Sequence, residues 1–339
     1  MIITATFLTH NYGAVLQAFA LQRYIMESTG EKEVYCLDYK PEYLISHLIH
    51  KRNGENLIKW IAHNAITLPY RKKRQDEFES FIKQYIHTIP VNAAQKENNA
   101  ILIAGSDQIW NKTITGGELD PIYFFVEFES LNRFAYAASI GSSEKEIIQE
   151  VIEKIKKMKY IGVREQDVFN VMQECGVDHL SLNVDPVFLL NKSIYQDLIN
   201  KPKISKFIFV YTLETSVKEV KNKIEIAKKR YPKATVVSLG SFKNIYGSDI
   251  HLRCASPQEF LGYIQASECV ITNSFHATAF SVMFEKPLIS ISLRNGREGR
   301  IRTLLTQVGY KGDFSKYNKT NLQYIIEDSK KYLKKIVNL

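Results

Sequence analysis

Glycine-rich phosphate loops are missing from this chain. No G-x-G-x-x-G follows a strand pattern and no Walker A sequence occurs, so neither a nicotinamide-dinucleotide domain nor a P-loop nucleotidase is supported. H-E-x-x-H and G-x-S-x-G are absent too, which removes the commonest zinc-protease and serine-hydrolase signatures. Without a D-x-D pair, chemistry that needs Mg²⁺ on a sugar nucleotide is disfavoured, and metal-independent chemistry without a cofactor is expected. Cysteine is scarce: Cys36, Cys175, Cys254 and Cys269 are scattered without C-x-x-C spacing, so buried free thiols are expected rather than a disulfide framework. No apolar run is long enough to span a bilayer, and Met1-Ile-Ile-Thr-Ala-Thr lacks the basic start of a secretory signal. A cytosolic location is the expectation.

Charge is what the chain has in excess. Lys plus Arg number 45 against 36 Asp plus Glu, a formal net charge of +9, with local clusters at Lys51-Arg52 and Arg71-Lys-Lys-Arg74. Diffuse positive charge favours an acidic small molecule, a lipid pyrophosphate or the inner membrane surface over nucleic acid, for which no module is recognisable.

A length of 339 residues suits two domains. Strand and helix patterns alternate from the start. Ile2–Leu8 reads as a strand, Thr9–Gly13 as a turn, Ala14–Glu27 as a helix stopped by Gly30, and Val34–Tyr39 as the next strand. Residues about 42–98 read as a helical insertion with amphipathic pieces at Asn56–Ala65 and Asp76–Ile86, placed at the mouth of a site, against a membrane, or as plain packing. Alternation resumes at Ala100 and runs to Asp185-Pro186, a linker follows near Asn191–Lys206, and a second series begins at Phe207. Ser256, Pro257 and Glu259 predict a capping box. The expected organisation is α/β: a first doubly wound domain over 1–190, a second over 206–315, and a helix over 316–339 that folds back on the first. Parallel sheets with helices on both faces place a ligand in the cleft at the carboxyl ends of the strands.

Four loops fall at such strand ends. Asn11-Tyr12-Gly13 opens a helix, and Gly13 would let the backbone approach a ligand there; a plain turn is the alternative. In Gly105-Ser106-Asp107-Gln108-Ile109-Trp110, Trp110 could stack on a sugar while Asp107 and Gln108 bond its hydroxyls, unless the loop is an Asx turn with Trp110 in the core. Arg164 could fork onto a carboxylate or phosphate, or pair with Glu165 or another acid. His276, after Asn273 and Ser274 at a helix start, would share the cleft with Arg294, Arg297 and Arg300, unless it is a surface residue beside a cap.

Taken in order, Asn11–Gln22, Gly105–Asn111, Val163–Glu165, Asp185–Leu189 and Ser274–Phe280 resemble the polysaccharide pyruvyl transferase family over nearly the whole chain. The resemblance implies two Rossmann-like domains facing a cleft, as in GT-B glycosyltransferases. It also implies transfer of pyruvate from phosphoenolpyruvate to two hydroxyls of a glycan acceptor, free or lipid-pyrophosphate-linked, forming a ketal. His276 matches the family's histidine and Arg164 its donor-binding arginine, with a further basic residue among Arg294, Arg297 and Arg300. His276 and Asp107 are expected to carry catalysis, and Trp110 to contact the acceptor. Ala14 and Ala277 depart from the residues common at these positions in the family. The competing readings are a glycosyltransferase using a nucleotide sugar and a degenerate glycan-binding member.

Overall fold

β-Branched and small apolar residues dominate the strands because both faces of each sheet are covered by helices, which leaves no polar face to alternate with. The computed structural model describes residues 1–45, 48–49, 56–213, 216–240, 244–292 and 299–338. The first sheet contains β1 (Ile2–Ala5), β2 (Val34–Asp38), β3 (Thr88–Pro90), β4 (Ile101–Ala104), β5 (Arg133–Ala138), β6 (Tyr160–Val163) and β7 (Leu180–Leu182). The second contains β8 (Phe207–Tyr211), β9 (Thr235–Leu239), β10 (Ile250–Leu252), β11 (Cys269–Thr272) and β12 (Leu288–Ser290). Both are wholly parallel, in the orders β3-β2-β1-β4-β5-β6-β7 and β10-β9-β8-β11-β12. Each order reverses once, between β1 and β4 and between β8 and β11. A reversal of this kind opens a crevice at the carboxyl edge.

The helices are α1 (Tyr12–Thr29), α2 (Leu57–Tyr85), α3 (Val91–Ala94), α4 (Lys145–Ile155), α5 (Gln166–Glu174), α6 (Lys192–Leu198), α7 (Val217–Arg230), α8 (Pro257–Ala266), α9 (Phe275–Met283), α10 (Gly299–Gln307) and α11 (Thr320–Val337). Gly30 caps α1 in the left-handed region, and Ser256 with Glu259 forms the capping box of α8. None is long and apolar enough to cross a membrane among the described residues.

Three expectations need correction. The two amphipathic pieces of the insertion are one helix, α2, which runs unbroken through Pro69, and the insertion ends by adding β3 to the sheet. The linker stretch carries α6, because Asn191 caps it. Cys175 is exposed, whereas Cys36 and Cys269 are buried.

α1 is apolar on nearly all sides because it is enclosed on nearly all sides. It packs on α2 and α11 and, from the second half of the chain, on α8 and α9. Tyr12 joins the halves: its ring stacks on Phe260 at 4.3 Å, and its hydroxyl donates to the Ala255 carbonyl at 2.9 Å. α11 returns to the first sheet, where the Tyr332 hydroxyl donates to the Ala135 carbonyl at 2.8 Å and Ser329 Oγ accepts from the Val184 N–H at 3.0 Å. Replacing Tyr12 by Phe keeps the stacking and leaves a buried carbonyl without its donor. The expected loss is about 1 kcal/mol in urea unfolding, with an unchanged far-ultraviolet spectrum.

Candidate active site

Side chains from both sheets meet at the crevice because every contributing loop leaves the carboxyl end of a strand. Ser106 and Asp107 follow β4, Arg164 follows β6, and Asp185 lies just beyond β7. His276 stands second in α9, after β11, and Arg300 stands second in α10, after β12.

Asp185 organises the cluster. One carboxylate oxygen, Oδ1, accepts from the Val187 N–H at 3.1 Å and so starts a short 3₁₀ turn. The other, Oδ2, accepts from Arg164 Nη1 and from Ser106 Oγ, the latter at 3.2 Å, and lies 3.4 Å from His276 Nε2. Burial opposes its ionisation, but the charges of His276 and Arg164 and the Val187 amide outweigh that and hold the carboxyl well below the usual range. Arg164 is thereby fixed by one nitrogen only. Its Nε and Nη2, with His276 Nε2, are buried without a hydrogen-bond partner among the described residues. Unmet buried donors of this kind are costly, and a ligand with several anionic oxygens would satisfy them.

A second guanidinium stands beside the first. Arg164 and Arg300 lie 4.7 Å and 5.7 Å from the centroid of the Phe275 ring, so one aromatic supports both cations. Asp107 Oδ1 lies 3.8 Å from Arg164 Nη2 and 3.6 Å from Arg300 Nη1. Burial, reinforced by Arg164, pushes the Arg300 pKa down to about 10, which still leaves it charged at neutral pH. Asp107 itself takes a positive φ of 79°, a costly conformation for a side-chain-bearing residue. It is fixed there by the Ser139 N–H donating to its carbonyl at 3.0 Å.

Gly13 is needed for a reason other than ligand approach. A Cβ on Gly13 would sit 1.9 Å from His276 Nδ1, so the imidazole rests on the first turn of α1. The catalytic candidate is thus supplied by one half of the chain and seated by the other.

The remaining sequence candidates divide. Trp110 is fully buried and stacks on Phe124 at 5.7 Å, so it is a core residue rather than a sugar platform. Tyr12 is likewise enclosed, as the strut between the halves. Asn11 Oδ1 accepts from the Gly13 and Ala14 N–H groups, so the side chain itself caps the start of α1, where a ligand was expected. The Gln108 amide oxygen accepts from Asn111 Nδ2 at 2.6 Å and closes its own turn. Asn273 Oδ1 accepts from the Leu213 N–H at 2.7 Å and ties β11 to β8, while its Nδ2 has no partner among the described residues. Ser274 caps α9. His276 is buried, not a surface residue. Arg294 and Arg297 lie outside the described residues.

Sequence reasoning passed over Asp185, Phe275 and Glu165 as functional residues. Glu165 Oε1 accepts from Ser139 Oγ, and its Oε2 is buried without a partner among the described residues. The available signal was position: each is adjacent to a candidate or directly follows a strand.

Two outcomes test this geometry. Gly13→Ala should displace the His276 ring and cost about 1–3 kcal/mol in urea unfolding. Asp185→Asn should cost about 3 kcal/mol, because it leaves the buried Arg164 charge with only the more distant Asp107 as a partner. A depressed carboxyl contributes stability that is present above its unfolded pKa of about 4 and fades as pH falls below it. Stability measured from pH 7 downward should therefore lose less in the Asn variant than in the wild type.

The fold and the sequence can each be compared with known proteins. The architecture is similar to that of UDP-GlcNAc 2-epimerase from Neisseria meningitidis, solved with UDP-GlcNAc, at 11% identity and a TM-score of 0.51, covering 100% of both chains. A putative UDP-N-acetylglucosamine 2-epimerase from Listeria monocytogenes matches at 12% identity and a TM-score of 0.51, covering 98% of this chain and 87% of the other. At such identities the likeness shows the fold alone, a two-domain GT-B-like arrangement. No curated protein sequence matches. The sequence pattern of one family, however, covers residues 11–295, and this chain belongs to the polysaccharide pyruvyl transferases.

Proposed function

We propose that the protein transfers pyruvate from phosphoenolpyruvate to two hydroxyls of one sugar in a bacterial surface polysaccharide or its lipid-linked precursor, releasing phosphate. The observation that carries this is the set of unmet buried donors on Arg164 and His276 beside the charged Arg300. Phosphoenolpyruvate brings a carboxylate and a phosphate on neighbouring atoms, which suits two adjacent guanidiniums.

His276 then protonates the methylene carbon of the donor, and C2 becomes electrophilic. The first sugar hydroxyl bonds to C2, and its proton returns to His276. The C2–O bond to phosphate breaks. The second hydroxyl closes the ketal, and its proton leaves through Asp107 to phosphate. Nothing is oxidised or reduced, and no metal or cofactor enters the sequence. Neutral-range proton exchange at an imidazole suits the first two transfers. Asp107, 14% exposed at its side chain and paired with both arginines, is the acceptor-side base.

Phosphate release with phosphoenolpyruvate and a panel of glycan acceptors tests the proposal. His276→Ala should lower turnover on the order of 10²–10⁴-fold. Arg164→Lys should abolish the thermal stabilisation that phosphoenolpyruvate gives the wild type, since a point charge cannot fork onto the donor. Full turnover in His276→Ala, or stabilisation by uridine diphosphate instead of phosphoenolpyruvate, would overturn it.

A further inference from the structure

The front half of α2 is built inside out. Its inward side carries Asn64 and Thr67, both buried, and Arg71, whose guanidinium bonds the Leu48 carbonyl at 3.0 Å and Asn64 Oδ1 at 3.3 Å. Its outward side carries Ile58, Ile61 and Ile66, with 78%, 54% and 62% of their surface exposed. With Ala62, Ala65 and Pro69, also exposed, they recur at the three- and four-residue spacing of one helical stripe. Among the described residues, seven of fifteen strongly exposed large apolar side chains fall between Ile45 and Tyr70, so the exposure is concentrated in one stretch of the chain. The back half of α2 is ordinary: Phe78, Phe81 and Ile82 are buried in the core and anchor the helix.

Charge decides what covers the patch. From Leu57 to Gln75 the sequence has Lys59, Arg71, Lys72, Lys73 and Arg74 and no acidic residue. Lys59, Lys72 and Lys73 are exposed. Asp76, one turn on, lies 3.7 Å from Lys72 and leaves Lys59 and Lys73 beside the stripe. An apolar stripe with an excess of cations fits a bilayer surface of anionic lipid, where the stripe enters the acyl boundary and the lysines reach the headgroups. A second copy of this chain would bring the same five cations against these and be repelled.

We propose that the front half of α2 docks the protein on an anionic membrane surface. The helix is also tied to the active site, because Arg74 donates to the His10 carbonyl at 2.8 Å, next to the Asn11 cap of α1. Docking would thus hold the crevice near a membrane-anchored acceptor. That consequence rests on the proposed pyruvyl transfer; the docking itself does not.

The test is co-sedimentation of the full chain with vesicles of phosphatidylcholine alone or mixed equally with phosphatidylglycerol, which needs no activity. Binding is expected to the mixed vesicles, and its loss in pure phosphatidylcholine or high salt. Ile58→Ser/Ile61→Ser/Ile66→Ser should weaken binding on the order of a hundredfold with the unfolding midpoint unchanged. Each of Lys72→Gln and Lys73→Gln should weaken it about fivefold. The wild type offers its own probe, since Trp60 lies in the docking half and the other tryptophan, Trp110, is fully buried. Brominated acyl chains should quench Trp60 fluorescence. A wild type that stays in the supernatant at low salt, a triple serine variant that binds as well as the wild type, or a dimer that the serines dissolve would each overturn the proposal.

Discussion

The buried ion pair between Asp185 and Arg164 is the constraint on which the site depends. A guanidinium taken out of water must be paired, and this one is paired by a carboxylate that also faces Ser106 and His276. One anion thereby fixes side chains from the ends of three elements. Because Asp185 occupies only one nitrogen of Arg164, the guanidinium keeps donor capacity on its other edge. The pair costs stability to bury and gives in return an arginine that is held still yet not used up. Phe275 extends the arrangement without a further charge, by supporting Arg164 and Arg300 on a single ring.

Much of the architecture was legible in the sequence because it is local. Strand runs, the Gly30 stop and the Ser256–Glu259 box follow from propensity and capping, which depend on neighbours along the chain. Strand-end loops were legible too, and Arg164, Asp107, His276 and Arg300 do meet. Partnership was not legible. Whether Trp110 faces a crevice or a core depends on Phe124, and nothing near Trp110 in sequence reports that contact. Asn11 and Gln108 are amides that a neighbouring turn satisfies, and the same residues would read identically in a ligand site. Gly13 was singled out for the right property, freedom from a side chain, but the group that needs the space is an imidazole from the other sheet. The insertion shows the same limit: its amphipathic pieces at Asn56–Ala65 and Asp76–Ile86 are parts of one helix, which tertiary packing carries through Pro69.

Apolar packing about α1 joins the halves of the chain, beside the ion pairs that cross at the crevice, Asp107 with Arg300 and Asp167 with Arg302. Tyr12, Phe260 and Tyr211 form a stacked and edge-on group across the boundary, and α9 lies against the same helix. His276 is seated at that boundary, so the quality of the packing sets the position of its imidazole.

The return of α11 has a topological consequence. The polypeptide passes from the first sheet to the second after β7 and comes back after α10, so two separate strands of backbone span the boundary. Cutting either one leaves the halves tied by the other. Any relative movement of the halves must therefore satisfy two covalent connections at once rather than one.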